Sequence, residues 1–134
     1  MKSKLGLLAF VSAIPFAAVG ATTSTINATL KDDAIQIDNA SVAAGKVTFV
    51  ITNSSPKLVH ELVVLKPDLA EDQLPVKKNG KVDEAKLKNK GEVEDIAPGT
   101  TKKLTLKLAP GKYVLVCNMP GHYQMGMRAA FTVD

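Results

Sequence analysis

Cys117, His122 and Met127 fall within one short segment, Val116-Cys117-Asn118-Met119-Pro120-Gly121-His122-Tyr123-Gln124-Met125-Gly126-Met127, with the spacing Cys-x4-His-x4-Met. They offer a thiolate, an imidazole and a thioether. The 134-residue chain has one cysteine and two histidines, and the other histidine, His60, opens an apolar run far upstream. A soft thiolate, two imidazoles and a weak axial thioether are the ligand set of a mononuclear type 1, or blue, copper site that passes single electrons. Taken singly, each residue has a plainer reading. A lone strand cysteine is usually core, and a histidine beside a Pro-containing loop is usually a surface residue. Their joint occurrence favours coordination.

The elements around these residues read as short strands. Val47, Phe49 and Ile51 alternate with Thr48, Val50 and Thr52, and Leu104, Leu106 and Leu108 alternate with Lys103, Thr105 and Lys107, the period of a half-buried strand. Ala109-Pro110-Gly111-Lys112 marks a turn before an apolar strand from Tyr113 to Cys117. Met127, Ala129, Phe131 and Val133 share one parity of a last strand, which places Met127 inward. Ser24–Leu30, Ala34–Ile37 and His60–Lys66 complete the set, with loops at 43–46 and 53–57. Many short strands between turn signals indicate an all-β Greek-key β-sandwich. Residues 67–95, rich in Lys, Asp and Glu, read as a charged excursion between two strands, with a short helix over Val82–Asn89. Their apolar residues are too few for a second core.

In such a sandwich the strand ending at Cys117 turns at Met119-Pro120-Gly121 and returns near Met127. Cys117, His122 and Met127 then share one pole, and His60, opening its own strand, reaches it as well. Met119 and Met125 also lie near the loop. If the segment is extended, Met125 has the parity of Met127, so parity alone does not choose between them.

The amino terminus reads as an export signal over residues 1–21. Lys2 and Lys4 precede an apolar stretch from Leu5 to Val19, and Val19-Gly20-Ala21 fits a small-residue cleavage site. The stretch is short for a bilayer span and contains Pro15, so no stable membrane insertion is expected after cleavage. Residues 22–134 then form a single domain, with the formal net charge lowered from +4 to +2 by loss of the two lysines. That charge is too small to argue for nucleic acid, and the absence of Trp leaves poor support for base stacking. A lone cysteine in an exported chain has no internal disulfide partner, and coordination is one way to protect it.

From about residue 24 onward the chain resembles the cupredoxins, the specific match being His60 and the segment Tyr113 to Val133. The Cys-x4-His-x4-Met loop looks most like rusticyanin- and sulfocyanin-type members. The resemblance implies one copper ion, cycling between Cu(I) and Cu(II), held at the end of the sandwich by His60, Cys117 and His122, with Met127 axial. The family's loop spacing favours Met127 over Met125, and Gly126 gives the backbone room. Electron transfer through the solvent-facing histidine of the cysteine loop, here His122, is also implied. Many cupredoxins carry Asn after the upstream histidine, where its backbone N–H supports the thiolate. Glu61 departs from that pattern.

The functional expectation is an exported, periplasmic one-electron carrier, monomeric, working between redox proteins such as c-type cytochromes or oxidases. The alternative is a periplasmic protein for copper sequestration, delivery or resistance, with copper-handling proteins as partners. Catalysis is not expected, because no histidine remains for a second copper centre and Cys117 lies in apolar surroundings unlike those of an activated nucleophile. Zinc rarely uses Met.

Overall fold

The computed structural model describes residues 11–17, 20 and 23–134. Most of the expected leader therefore lies outside the described residues. Among the described residues nine strands follow one another: β1 (Thr23–Lys31), β2 (Ala34–Ile37), β3 (Ser41–Val42), β4 (Gly45–Asn53), β5 (His60–Leu65), β6 (Asn89–Ile96), β7 (Thr101–Leu108), β8 (Gly111–Val116) and β9 (Arg128–Val133). They form two sheets, ordered β2-β1-β4-β7 and β3-β9-β8-β5-β6. β4 runs parallel to β1 and antiparallel to β7, and β8 is antiparallel to both β5 and β9. The expected β-sandwich is the observed one.

Alternation along the strands builds the core. Val47, Phe49 and Ile51 of β4 are fully buried, and they face Leu62, Val64, Leu115 and Phe131 of the second sheet. Phe131 takes the edge of Phe49, at a centroid separation of 5.6 Å, and stacks on Tyr113 at 5.2 Å. The Tyr113 hydroxyl donates to the Ala109 carbonyl at 2.6 Å and pins the β7–β8 turn. On the opposite face of the first sheet, Thr48 pairs with Thr105 and Thr52 with Thr101 across β4 and β7. Among the described residues every buried side-chain nitrogen and oxygen has a hydrogen-bond partner.

β5 and β8 lack alternation because both of their faces are covered. Val63, Leu65, Val114 and Val116 point away from the main core and join Leu74, Val82 and Tyr123 in a second apolar cluster. The segment between β5 and β6 is therefore a cover on the outer face of the second sheet. Two details differ from the sequence expectation for residues 67–95. The expected helix over Val82–Asn89 is a single 3-10 turn, Glu84–Lys86, because Lys88 is drawn into a backbone bond from Lys66 and the chain from Asn89 is already a strand. The last quarter of the excursion belongs to β6 itself. It hides behind its charges, Lys90, Glu92, Glu94 and Asp95, because it is an edge strand with only Gly91, Val93 and Ile96 turned inward. Charged side chains are what keep such an edge from pairing with other chains.

Phe49 fills the centre of the main core, so Phe49→Ala is expected to lower unfolding free energy by about 3–5 kcal/mol. Urea denaturation followed by circular dichroism measures this.

Candidate metal centre

The ligand-bearing segment is a loop closed at its base. β8 and β9 pair up to Val116 and Arg128, and the Cys117 amide then donates to the Met127 carbonyl at 3.1 Å. Between these residues the chain makes one helical turn, α1 (His122–Met125), framed by Gly121 and Gly126. Both glycines have left-handed backbones, φ 81° and 117°, which favour glycine over residues with a Cβ. At Gly126 a Cβ would also collide with the Asp33 carbonyl.

The helical turn separates the two methionines that strand parity left equivalent. Met125 points outward and is 52% exposed, whereas Met127 is fully buried in the main core beside Cys117. Met119 is half-buried against the same core.

His60, Cys117 and His122 converge. The Nδ1 atoms of His60 and His122 are 3.1 Å apart, and Cys117 Sγ lies 3.7 Å from the first and 3.5 Å from the second. The point equidistant from these three atoms is about 2.0 Å from each, close to the lengths of metal–nitrogen and metal–sulfur bonds. Two imidazole nitrogens and a thiol that face one another so closely have a cation as their natural common partner. His60 and Cys117 are buried, and His122 is partly exposed.

Local fields suit such a site. Burial raises the Cys117 thiol above its usual range, while amides of Glu61 and Met119 act in the opposite direction by donating toward the sulfur. The Glu61 amide lies 3.4 Å from Sγ. The departure from Asn at position 61 thus leaves the backbone donor in place, with the Glu61 side chain on the other face of β5. Burial, and then the neighbouring His60, lower the His122 imidazole below its usual range and favour its neutral, metal-binding form.

The loop that delivers His60 is equally fixed. Buried Asn53 donates through Nδ2 to the carbonyls of Leu58 and Ile96, both at 2.8 Å, and its Oδ1 accepts from the Ser55 amide at 2.9 Å. Asn53 therefore has a definite role in pinning the loop before β5.

Residues 22–134 match the family of copper-binding proteins of the plastocyanin/azurin type. The chain belongs to that family. Its cofactor is copper. Solved structures share the fold. Auracyanin from Roseiflexus castenholzii, in its dithionite-reduced form, is 24% identical with a TM-score of 0.63, covering 86% of this chain and 99% of its own. Auracyanin A from Chloroflexus aurantiacus, a blue copper protein, is 23% identical with a TM-score of 0.63, covering 84% and 100%. Rusticyanin from Thiobacillus ferrooxidans is 18% identical with a TM-score of 0.61, covering 84% and 77%. No curated protein matches the chain significantly in sequence.

Within this cupredoxin fold the cover segment also braces the copper loop. The Tyr123 hydroxyl donates to the Glu71 carbonyl at 2.7 Å and accepts from the Leu74 amide at 3.1 Å. Asn118 binds both backbone groups of Val82 and donates to Glu84 at 2.6 Å. The Gly121 amide donates to the Gly80 carbonyl at 2.9 Å, and a Cβ on Gly80 would press on that same amide. Sequence reasoning did not find Asn118, Tyr123 or Gly80 as supports, because their partners lie 34 to 52 residues away. The only local signal was a buried-type Tyr within a ligand loop.

Tyr123→Phe leaves the Glu71 carbonyl and the Leu74 amide without that hydroxyl, and is expected to cost about 1–3 kcal/mol in the metal-free protein. Its thermal midpoint checks this, and a midpoint equal to that of the parent would show that the brace is idle.

Proposed function

We propose that this cupredoxin is an exported, mononuclear type 1 copper protein that carries single electrons between redox partners. His60 Nδ1, Cys117 Sγ and His122 Nδ1 are the strong ligands, and Met127 is the axial one. The convergence of three donors at a buried pole, with only His122 partly exposed, carries this reading. Bound there, copper supplies the Cu(I)/Cu(II) couple. The chain's part is to hold the donors still and dry, so that little rearrangement accompanies the change of charge. Met127 adds an apolar, fully buried side chain on the β9 side of Cys117. His122 is the edge through which an electron leaves.

Exposed Leu58, Val59, Pro120 and Met125 lie on the loops of the same pole and make an apolar rim against which a redox partner docks. The turn carrying Lys77, Lys78 and Lys81 stands beside Gly121 and adds positive charge at that rim, which speeds encounter with an acidic partner. Export is supported by the leader pattern of residues 1–21. Among the described residues no helix is long and apolar enough to cross a membrane.

The copper-loaded protein should show an intense thiolate-to-Cu(II) visible band and reversible one-electron cycling. Cys117→Ser should abolish the band. A colourless protein that binds only Cu(I) and yields it to an acceptor would replace electron carriage with copper delivery. Met127→Leu should keep a coloured site and raise its potential, while Met125→Leu should change the potential far less. The opposite ranking, read by voltammetry, would move the axial role to Met125.

A further inference from the structure

Asp32 stands in the two-residue turn between β1 and β2, and its Oδ1 lies 3.2 Å from His60 Nε2. The His60 ring is fully buried, whereas the Asp32 side chain is 45% exposed. A carboxylate can only accept, so the ring nitrogen that faces it is the one that carries hydrogen. Nδ1 is left with its lone pair, and Nδ1 is the atom turned toward Cys117 Sγ and His122 Nδ1. We propose that Asp32 is a positioning residue of the copper centre, which fixes the tautomer and orientation of His60 and biases the site toward Cu(II). This rests on the ligand assignment made above.

The contact is built from several sides. Ser55 is buried, its oxygen accepts from the Lys57 and Leu58 amides at 3.2 and 2.9 Å, and its hydroxyl is directed to the Asp32 carboxylate. Ser55 is in turn held by Asn53, whose other bonds shape the loop leading to His60. The same β1–β2 turn is fixed a second time where the Asp33 carbonyl rests on Gly126, next to Met127. An aspartate as exposed to water as Asp32 is ionised at neutral pH, so it meets His60 as an anion.

An anion hydrogen-bonded to the far nitrogen of a metal-binding imidazole makes the near nitrogen a stronger donor, and it orients the ring. The more electron-rich donor favours the higher oxidation state. A turn aspartate with no link to the site would give no such bias, and Asp33 offers the comparison within the same turn. It has equal formal charge, is exposed, and makes no hydrogen bond to His60.

The test compares the copper-loaded parent with Asp32→Asn, Asp32→Ala and Asp33→Asn, reading reduction potential and the separate affinities for Cu(II) and Cu(I). Asp32→Asn should lower Cu(II) affinity relative to Cu(I) by about tenfold, which for a one-electron couple is a rise in potential of about 59 mV. Asp33→Asn should change it much less. In the Cu(I) form, nitrogen-15 NMR should show a slowly exchanging His60 Nε2–H in the parent and a fast-exchanging one in Asp32→Ala. Equal shifts from Asp32→Asn and Asp33→Asn would reduce the effect to general charge and overturn the proposal, as would no shift in either. Asp32→Ala carries the same test should Asp32→Asn fold poorly. A parent without a thiolate-to-Cu(II) band would overturn the ligand assignment itself. A normal band whose potential ignores Asp32 would overturn only the role of Asp32.

Discussion

The hydrogen bond from the Cys117 amide to the Met127 carbonyl is the constraint on which the site depends. It ends the β8–β9 ladder at the pole of the sandwich and sets the thiol and the thioether residue side by side. Everything between them becomes a closed loop whose single helical turn swings His122 inward and Met125 outward. Because Cys117 and Met127 both belong to the main core, the base of this loop moves only if the core moves. The donor positions are thus a property of the fold.

Two further segments converge on that base. From one side, Asn53 holds the loop that delivers His60, and the Glu61 amide donates toward the sulfur as β5 begins. From the other, the cover segment grips the copper loop at Asn118, Gly121 and Tyr123. The cover has two effects from one set of contacts. It buries the outer faces of β5 and β8, and it stiffens the loop that bears the donors. Desolvation disfavours an unaccompanied thiolate at Cys117, so its ionised form there calls for a cation beside it.

Much of this was legible in the sequence, and the reasons are local. The alternation in Val47–Thr52 and Lys103–Leu108 reports strands with one covered face, and the Cys-x4-His-x4-Met spacing keeps three donors within one loop. His60 was readable because no other imidazole competes with it. Other features left weak local traces. A four-residue helix has no periodicity to detect, so parity left Met125 and Met127 equivalent until the turn at His122–Met125 separated them. β6 carries one Val and four charges between Lys90 and Asp95, so an edge strand looked like part of a solvated excursion. Asp32 meets His60 across 28 residues and Tyr123 meets Glu71 across 52, distances at which only the folded chain reveals a contact.

We propose that Cys117 and the two histidines hold copper in an arrangement that the protein imposes on both oxidation states. X-ray absorption at the copper edge on the oxidised and reduced protein tests this most directly. One short copper–thiolate bond and two copper–imidazole bonds are expected in both forms, with only small changes in length on reduction. Loss of an imidazole on reduction, or a shell made of thioether sulfur without a thiolate, would contradict it.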